Sequence, residues 1–170
     1  MDIQTTSRTE PWPSLPLEAW RDTYATVHLW TQIVGKIRLA QSPWINHAWH
    51  VTLVVTARGL TTTSIPYGTR TFQIDFDFIA HRLTIQSSDG RMASFPLQAQ
   101  SVAAFYTRLM AELDALQLHV DLHLLPCEVA DPQPFDQDET HCAYDPEFAA
   151  RFWQALVQAD RVFKQFRARF

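Results

Sequence analysis

Apolar residues return at helical spacing near the start of the chain. Leu17, Trp20, Tyr24, Val27, Thr31 and Val34 follow 3-4-3-4-3 steps, the stripe of an amphipathic helix. Leu29, Trp30, Ile33 and Ile37 add a second apolar side, so a helix over about 17–39 is expected to bury its C-terminal half. Pro16 suits its first turn, where no backbone N–H is required. The period then shortens. Residues 51–57 are β-branched and bounded by Gly59, and Phe72, Ile74, Phe76 and Phe78 alternate with Gln73, Asp75 and Asp77, as in a strand with one face on a core. A turn at Ala80-His81 returns through Leu83 and Ile85, and Asp89-Gly90 is a hairpin signal leading into a strand near 92–97. Ser101 is suited to cap a second helix that gathers Val102, Phe105, Leu109, Leu113 and Leu116 on one face and ends near Gln117. Val120, Leu122 and Leu124 alternate with His119, Asp121 and His123 in a further strand that Pro126 stops, and 131–140 reads as loop. Asp145-Pro146 opens a third helix, whose stripe of Phe148, Phe152, Leu156, Ala159, Phe163, Phe166 and Phe170 predicts extensive burial. The order α-β-β-β-β-α-β-α describes an α+β fold: a mainly antiparallel sheet of four to five strands with three long helices on one face. Residues 1–16 form an extended N-terminal segment and 17–170 a single domain.

Composition narrows the function classes. With 46% hydrophobic and 19% charged residues among 170, the chain has ample apolar surface to offset its entropy, which excludes disorder. Fourteen basic and 18 acidic residues give a net charge of −4, which argues against nucleic acid as a partner. No run approaches the roughly 18 apolar residues of a membrane span, and residues 1–10 lack a secretory core. A soluble, cytoplasmic protein with no membrane partner is therefore expected. Cys127 and Cys142, in a chain able to build its own core, read as reduced thiols.

Several polar groups stand where chemistry is conceivable. His28, Gln32 and Lys36 recur at i, i+4 and i+8 as one strip on an otherwise apolar half-helix. They are either a solvated side or the lining of a cleft, with Lys36 as cation and Gln32 and His28 orienting a ligand. Asn46, His47 and His50 lie among Trp44 and Trp49, a pattern fitting a pocket with indole walls or a core in which these groups satisfy one another. His119, Asp121 and His123 share one strand face and Asp75 and Asp77 another; they suit a divalent metal if the strands adjoin, or simply form the wet side of the sheet. His141, Tyr144 and Asp145 precede the third helix, whose positive end favours an anion, although Asp145 equally suits an N-cap. Arg58-Gly59 can meet a carboxylate or phosphate. Nucleophile elbows, Ser-x-x-Lys and glycine-rich dinucleotide turns do not occur.

Longer strings carry a resemblance. WPSLPLEAW, LWTQIVGKIRL, SPWINHAWHV, TARGLTT and THCAYDPE followed by RFWQALVQADRVFKQFRARF together resemble an uncharacterised bacterial domain-of-unknown-function family over almost the whole chain. The resemblance implies a shared fold and site without naming a reaction. The resemblance also implies non-thiol residues at the positions of Cys127 and Cys142, a departure that counts against cysteine-based chemistry.

The resulting expectation is a small anionic metabolite bound in a pocket walled by Trp30, Trp44 and Trp49, with His28, Gln32, Lys36, Asn46, His47, His50, Arg58, His141 and Tyr144 as polar groups. If the protein is an enzyme, His47, His50 or His141 supplies acid/base chemistry and Lys36 or Arg58 stabilises charge. No metal or cofactor is called for. Such a site requires at least three of Lys36, Arg58, His47 and His50 to lie within about 10 Å around one concavity. The competing expectation is a protein-interaction or homo-oligomerisation module that uses the last helix and the Trp-rich segment.

Overall fold

The computed structural model describes residues 12–170. Its three helices are α1 (Leu17–Gln41), α2 (Val102–Ala115) and α3 (Pro146–Arg167). Six antiparallel strands separate α1 from α2: β1 (Val54–Val55), β2 (Gly59–Thr61), β3 (Ile65–Tyr67), β4 (Arg70–Asp77), β5 (Arg82–Ser87) and β6 (Met92–Pro96). The sheet runs β1-β2-β4-β5-β6. β3 pairs with the start of β4 on the edge whose other end β2 occupies. The fold is thus α+β, with one strand more than the upper expectation.

The alternation along β4 decides which face meets the helices. Phe72, Ile74, Phe76 and Phe78 are buried, while Gln73, Asp75 and Asp77 are half-buried on the other side. Against the apolar face lie Trp30, Ile33 and Ile37 of α1 and Phe105, Leu109 and Leu113 of α2. Trp30 stacks on Phe105 at 4.7 Å and on Tyr144 at 5.5 Å, and Phe105 stacks in turn on Phe76 at 6.3 Å. An aromatic column therefore crosses from the segment before α3, through both inner helices, to the sheet.

The expected punctuation is present. The Ser101 side chain accepts from the Ala104 N–H, and Asp145 accepts from the N–H groups of Glu147 and Phe148. Gly90 takes φ +87° in the β5–β6 turn, a left-handed conformation suited to glycine. Pro16, however, lies just before α1 rather than in its first turn. The extended segment 1–16 falls largely outside the described residues.

Three elements depart from expectation. Residues 51–57 do not form one strand: a short 3₁₀ helix (Asn46–Val51) comes first, β1 is two residues long, and Gly59 lies inside β2. Val120 is buried and Leu122 and Leu124 are half-buried while His119, Asp121 and His123 are exposed, as the alternation predicts, but 118–124 pairs with no strand. Side chains and turns take its backbone groups instead: the Tyr67 hydroxyl accepts from the His119 N–H, and the Leu124 carbonyl accepts from the Phe135 N–H.

The third departure concerns α3. Ala149 is its one fully buried residue, and Phe163, Phe166 and Phe170 are 71%, 63% and 94% exposed. Helical spacing places these rings on one face, but no element of the described structure covers that face. Phe163→Ala and Phe166→Ala are accordingly expected to change stability by no more than about 0.5 kcal/mol, against about 3–5 kcal/mol for a buried ring. Chemical denaturation of the two variants checks this.

Candidate functional site

One face of α1 remains beside the core as the floor of a groove of about 880 Å³. Trp20, Tyr24, Val27, His28, Thr31, Gln32, Gly35, Lys36 and Leu39 line it, the repeating three- and four-residue steps of a single helix face. They span roughly 28 Å of helix at 1.5 Å per residue. Phe152 and Leu156 of α3 form part of the wall, with Val51, Leu53, Val55 and Leu60. The 46–51 turn packs against α1 at Gly35, where an added Cβ would meet Val51 Cγ1 at 3.4 Å, an ordinary contact. The lining is apolar apart from the α1 polar strip, Thr31 and the Cys127–Glu128 segment.

Within the strip the three groups differ. Gln32 behaves like a paired backbone unit: its amide donates to the Cys127 carbonyl at 2.8 Å and its Oε1 accepts from the Cys127 N–H at 2.8 Å. Its Nε2 also lies 3.2 Å from His28 Nε2, so it donates to that ring nitrogen in the neutral tautomer protonated at Nδ1. His28 is further held by stacking on Tyr24 at 5.9 Å. Lys36 Nζ donates to Cys127 Sγ at 3.6 Å and sits 6.0 Å from the centre of the Phe135 ring. Among the described residues it has no carboxylate within salt-bridge distance. One strip thus contains a structural clamp, an oriented imidazole and a cation without an anionic partner.

The other expected site residues lie elsewhere. Trp30 is wholly buried in the aromatic column and walls nothing. Trp44 and Trp49 are 71% and 72% exposed, and Asn46 and His47 are exposed beside them. Left-handed backbone at His47 and Ala48, both at φ +55°, breaks the regular turn expected to align the two histidines. Ala48 and Val51 line the groove in their place. His50 is buried beneath Trp44, and its Nδ1 accepts from the Ile45 N–H at 3.2 Å, a structural use of the ring. Of Lys36, Arg58, His47 and His50, only Lys36 lines the groove, so this concavity does not gather the three of them that the expectation required.

Arg58 instead pairs with Asp77 at 2.7 Å. Burial raises the Asp77 pKa, but the Ala80 N–H, Arg58 and the Ile79 N–H outweigh it and hold the carboxyl below its usual range. The resulting stabilisation is complete above the unfolded value of about 3.9 and is lost as pH falls through the lower folded value. Arg58→Gln is expected to move the Asp77 titration upward and acid unfolding to higher pH; carboxyl NMR titration with acid melts checks both.

His141 and Tyr144 are separate again. His141 borders a smaller depression of about 450 Å³ with Arg21, Asp22 and Cys142. Its Nδ1–H donates to buried Asp138 at 2.7 Å. That carboxylate also accepts from the N–H groups of Thr140 and His141, while the Asp138 and His141 carbonyls accept from the first turn of α2. The pair therefore fastens the 138–141 loop to a helix end. Tyr144 donates to His81 Nδ1 at 2.9 Å, and burial, then Asp145 and Asp77, push its phenol well above the ordinary range. It is a neutral donor rather than a base. His119 pairs with Asp114, and no cluster of three or more His, Cys, Asp or Glu side chains suited to a metal occurs among the described residues.

The apolar walls were not recognised from sequence. Spacing places Tyr24 and Val27 on the apolar stripe of α1 without showing that the stripe lines a groove, and Cys127 and Glu128 follow Pro126 in a segment without periodicity. The chain has no significant match among curated proteins or solved structures. Residues 12–170 match the family described as Family of unknown function (DUF5996), and the chain belongs to that family.

Proposed function

We propose that the groove binds a small amphipathic anion, with its apolar body along Val27, Leu53, Val55 and Leu156 and its charged head at Lys36. The observation carrying this reading is one ammonium without a carboxylate partner in an otherwise largely apolar groove of about 880 Å³. That volume lies within the roughly 300–1,000 Å³ range of small-molecule sites. Half-buried on the α1 face of the groove, the Lys36 ammonium supplies the one lining cation that can orient a guest whose remaining surface is apolar. Binding is favoured over turnover because Gln32 and His28 are engaged with each other and with the Cys127 backbone. The anionic ligand anticipated from sequence is kept, while its tryptophan walls give way to Tyr24, Phe152 and aliphatic side chains.

Decanoate and decanol share a body and differ in the head. Decanoate is expected to raise the melting temperature more than decanol, and Lys36→Met to remove the difference by weakening decanoate about ten- to a hundredfold, the worth of a charged hydrogen bond of about 1.5–3 kcal/mol. Methionine keeps much of the apolar stem. Equal shifts by both probes in the parent protein would remove Lys36 from the reading.

A further inference from the structure

We propose that the last turns of α3 rest in the plane of an anionic membrane surface. Residues 161–170 are all exposed and contain four cations and no acid. The chain's net charge is −4, so residues 1–160 carry −8, and positive charge is concentrated where the helix leaves the body. Val162, Phe163 and Phe166 share an arc of about 100° at helical spacing. The Phe170 ring packs on Phe166 at 4.9 Å and extends that apolar face. Lys164 pairs with Asp160 at 2.7 Å, whereas Arg161, Arg167 and Arg169 have no ion-pair partner among the described residues.

An uninterrupted aromatic face bordered by arginines matches an acyl boundary beneath anionic headgroups. Self-association through this face is disfavoured on two counts. Four apolar side chains fall far short of the roughly 20–30 residues per side of a stable interface, and facing copies would bring their arginines together. A nucleic-acid strand is disfavoured because the rings are segregated from the cations instead of interleaved with them. No helix of the described structure is long and apolar enough to cross a membrane, so the contact is in-plane. The expectation of no membrane partner rested on the missing span and did not address such a contact. None of these residues lines the groove, so the two readings stand or fall separately.

Flotation of the full chain with phosphatidylserine–phosphatidylcholine vesicles, against pure phosphatidylcholine vesicles, tests the proposal. Binding is expected only with the anionic lipid and should weaken as salt screens it. The Arg161→Gln/Arg167→Gln/Arg169→Gln variant should bind about a hundredfold more weakly, at roughly fivefold per cation. Phe163→Ser/Phe166→Ser should also lose vesicles while keeping its thermal melt. Absence of binding at low salt, full binding by the Phe variant, or an RNA oligonucleotide competing the protein off vesicles would each overturn the proposal.

Discussion

Trp30→Ala is expected to cost about 3–5 kcal/mol, a large share of the roughly 5–15 kcal/mol that holds a domain folded. The ring is wholly buried and lies between Phe105 and Tyr144 in the column that reaches the sheet at Phe76. Its removal opens a cavity where α1, α2 and the segment before α3 meet. The indole Nε1 has no hydrogen-bond partner, so Trp30→Phe retains much of the stacking and removes an unsatisfied donor. That milder variant should cost less than about 1.5 kcal/mol. Urea unfolding at unchanged slope separates the two; an alanine variant as stable as the parent would mean that the column does not hold the helices to the sheet.

Gly59→Ala is expected to be as damaging for the opposite reason. A Cβ at this position would lie 1.8 Å from the Phe76 carbonyl oxygen and 3.2 Å from the Phe78 nitrogen, both on the backbone. Neither can swing aside as the end of a side chain does. β2 must therefore separate from β4, at a cost of about 3 kcal/mol, the upper end of ordinary overpacking. Because Leu60 and Val55 form the next pair in the ladder and both line the groove, the substitution should also abolish ligand binding in whatever fraction remains folded. Denaturation and decanoate titration of the same sample read both effects, and full stability would contradict the close strand approach.

Local signals made much of this fold legible. Caps at Ser101 and Asp145, the Asp89-Gly90 turn and the alternation of β4 each depend on neighbours in sequence, and each is found in the structure. The strand expected over 119–124 does not form because the partners of its backbone are distant and not a strand. The Tyr67 hydroxyl accepts from the His119 N–H and the Leu124 carbonyl from the Phe135 N–H, while beyond Pro126 the Gln32 amide pairs with the Cys127 backbone. Periodicity correctly grouped the phenylalanines of α3 but carries no information on whether anything covers them. At the site, the His28, Gln32 and Lys36 strip was visible as helical spacing. The fate of Trp44 and Trp49 was not, since it turns on left-handed φ at His47 and Ala48, which neither residue type announces.

The central claim is that the groove is a binding site with its charged end at Lys36. Intermolecular NOEs between decanoate and the protein test it most directly. Contacts from the acyl chain to the methyls of Val27, Leu53, Val55 and Leu156 are expected, with the carboxylate end beside the Lys36 side chain. Contacts confined to the exposed rings of Trp44, Trp49 or Phe163, with the groove methyls silent, would contradict it.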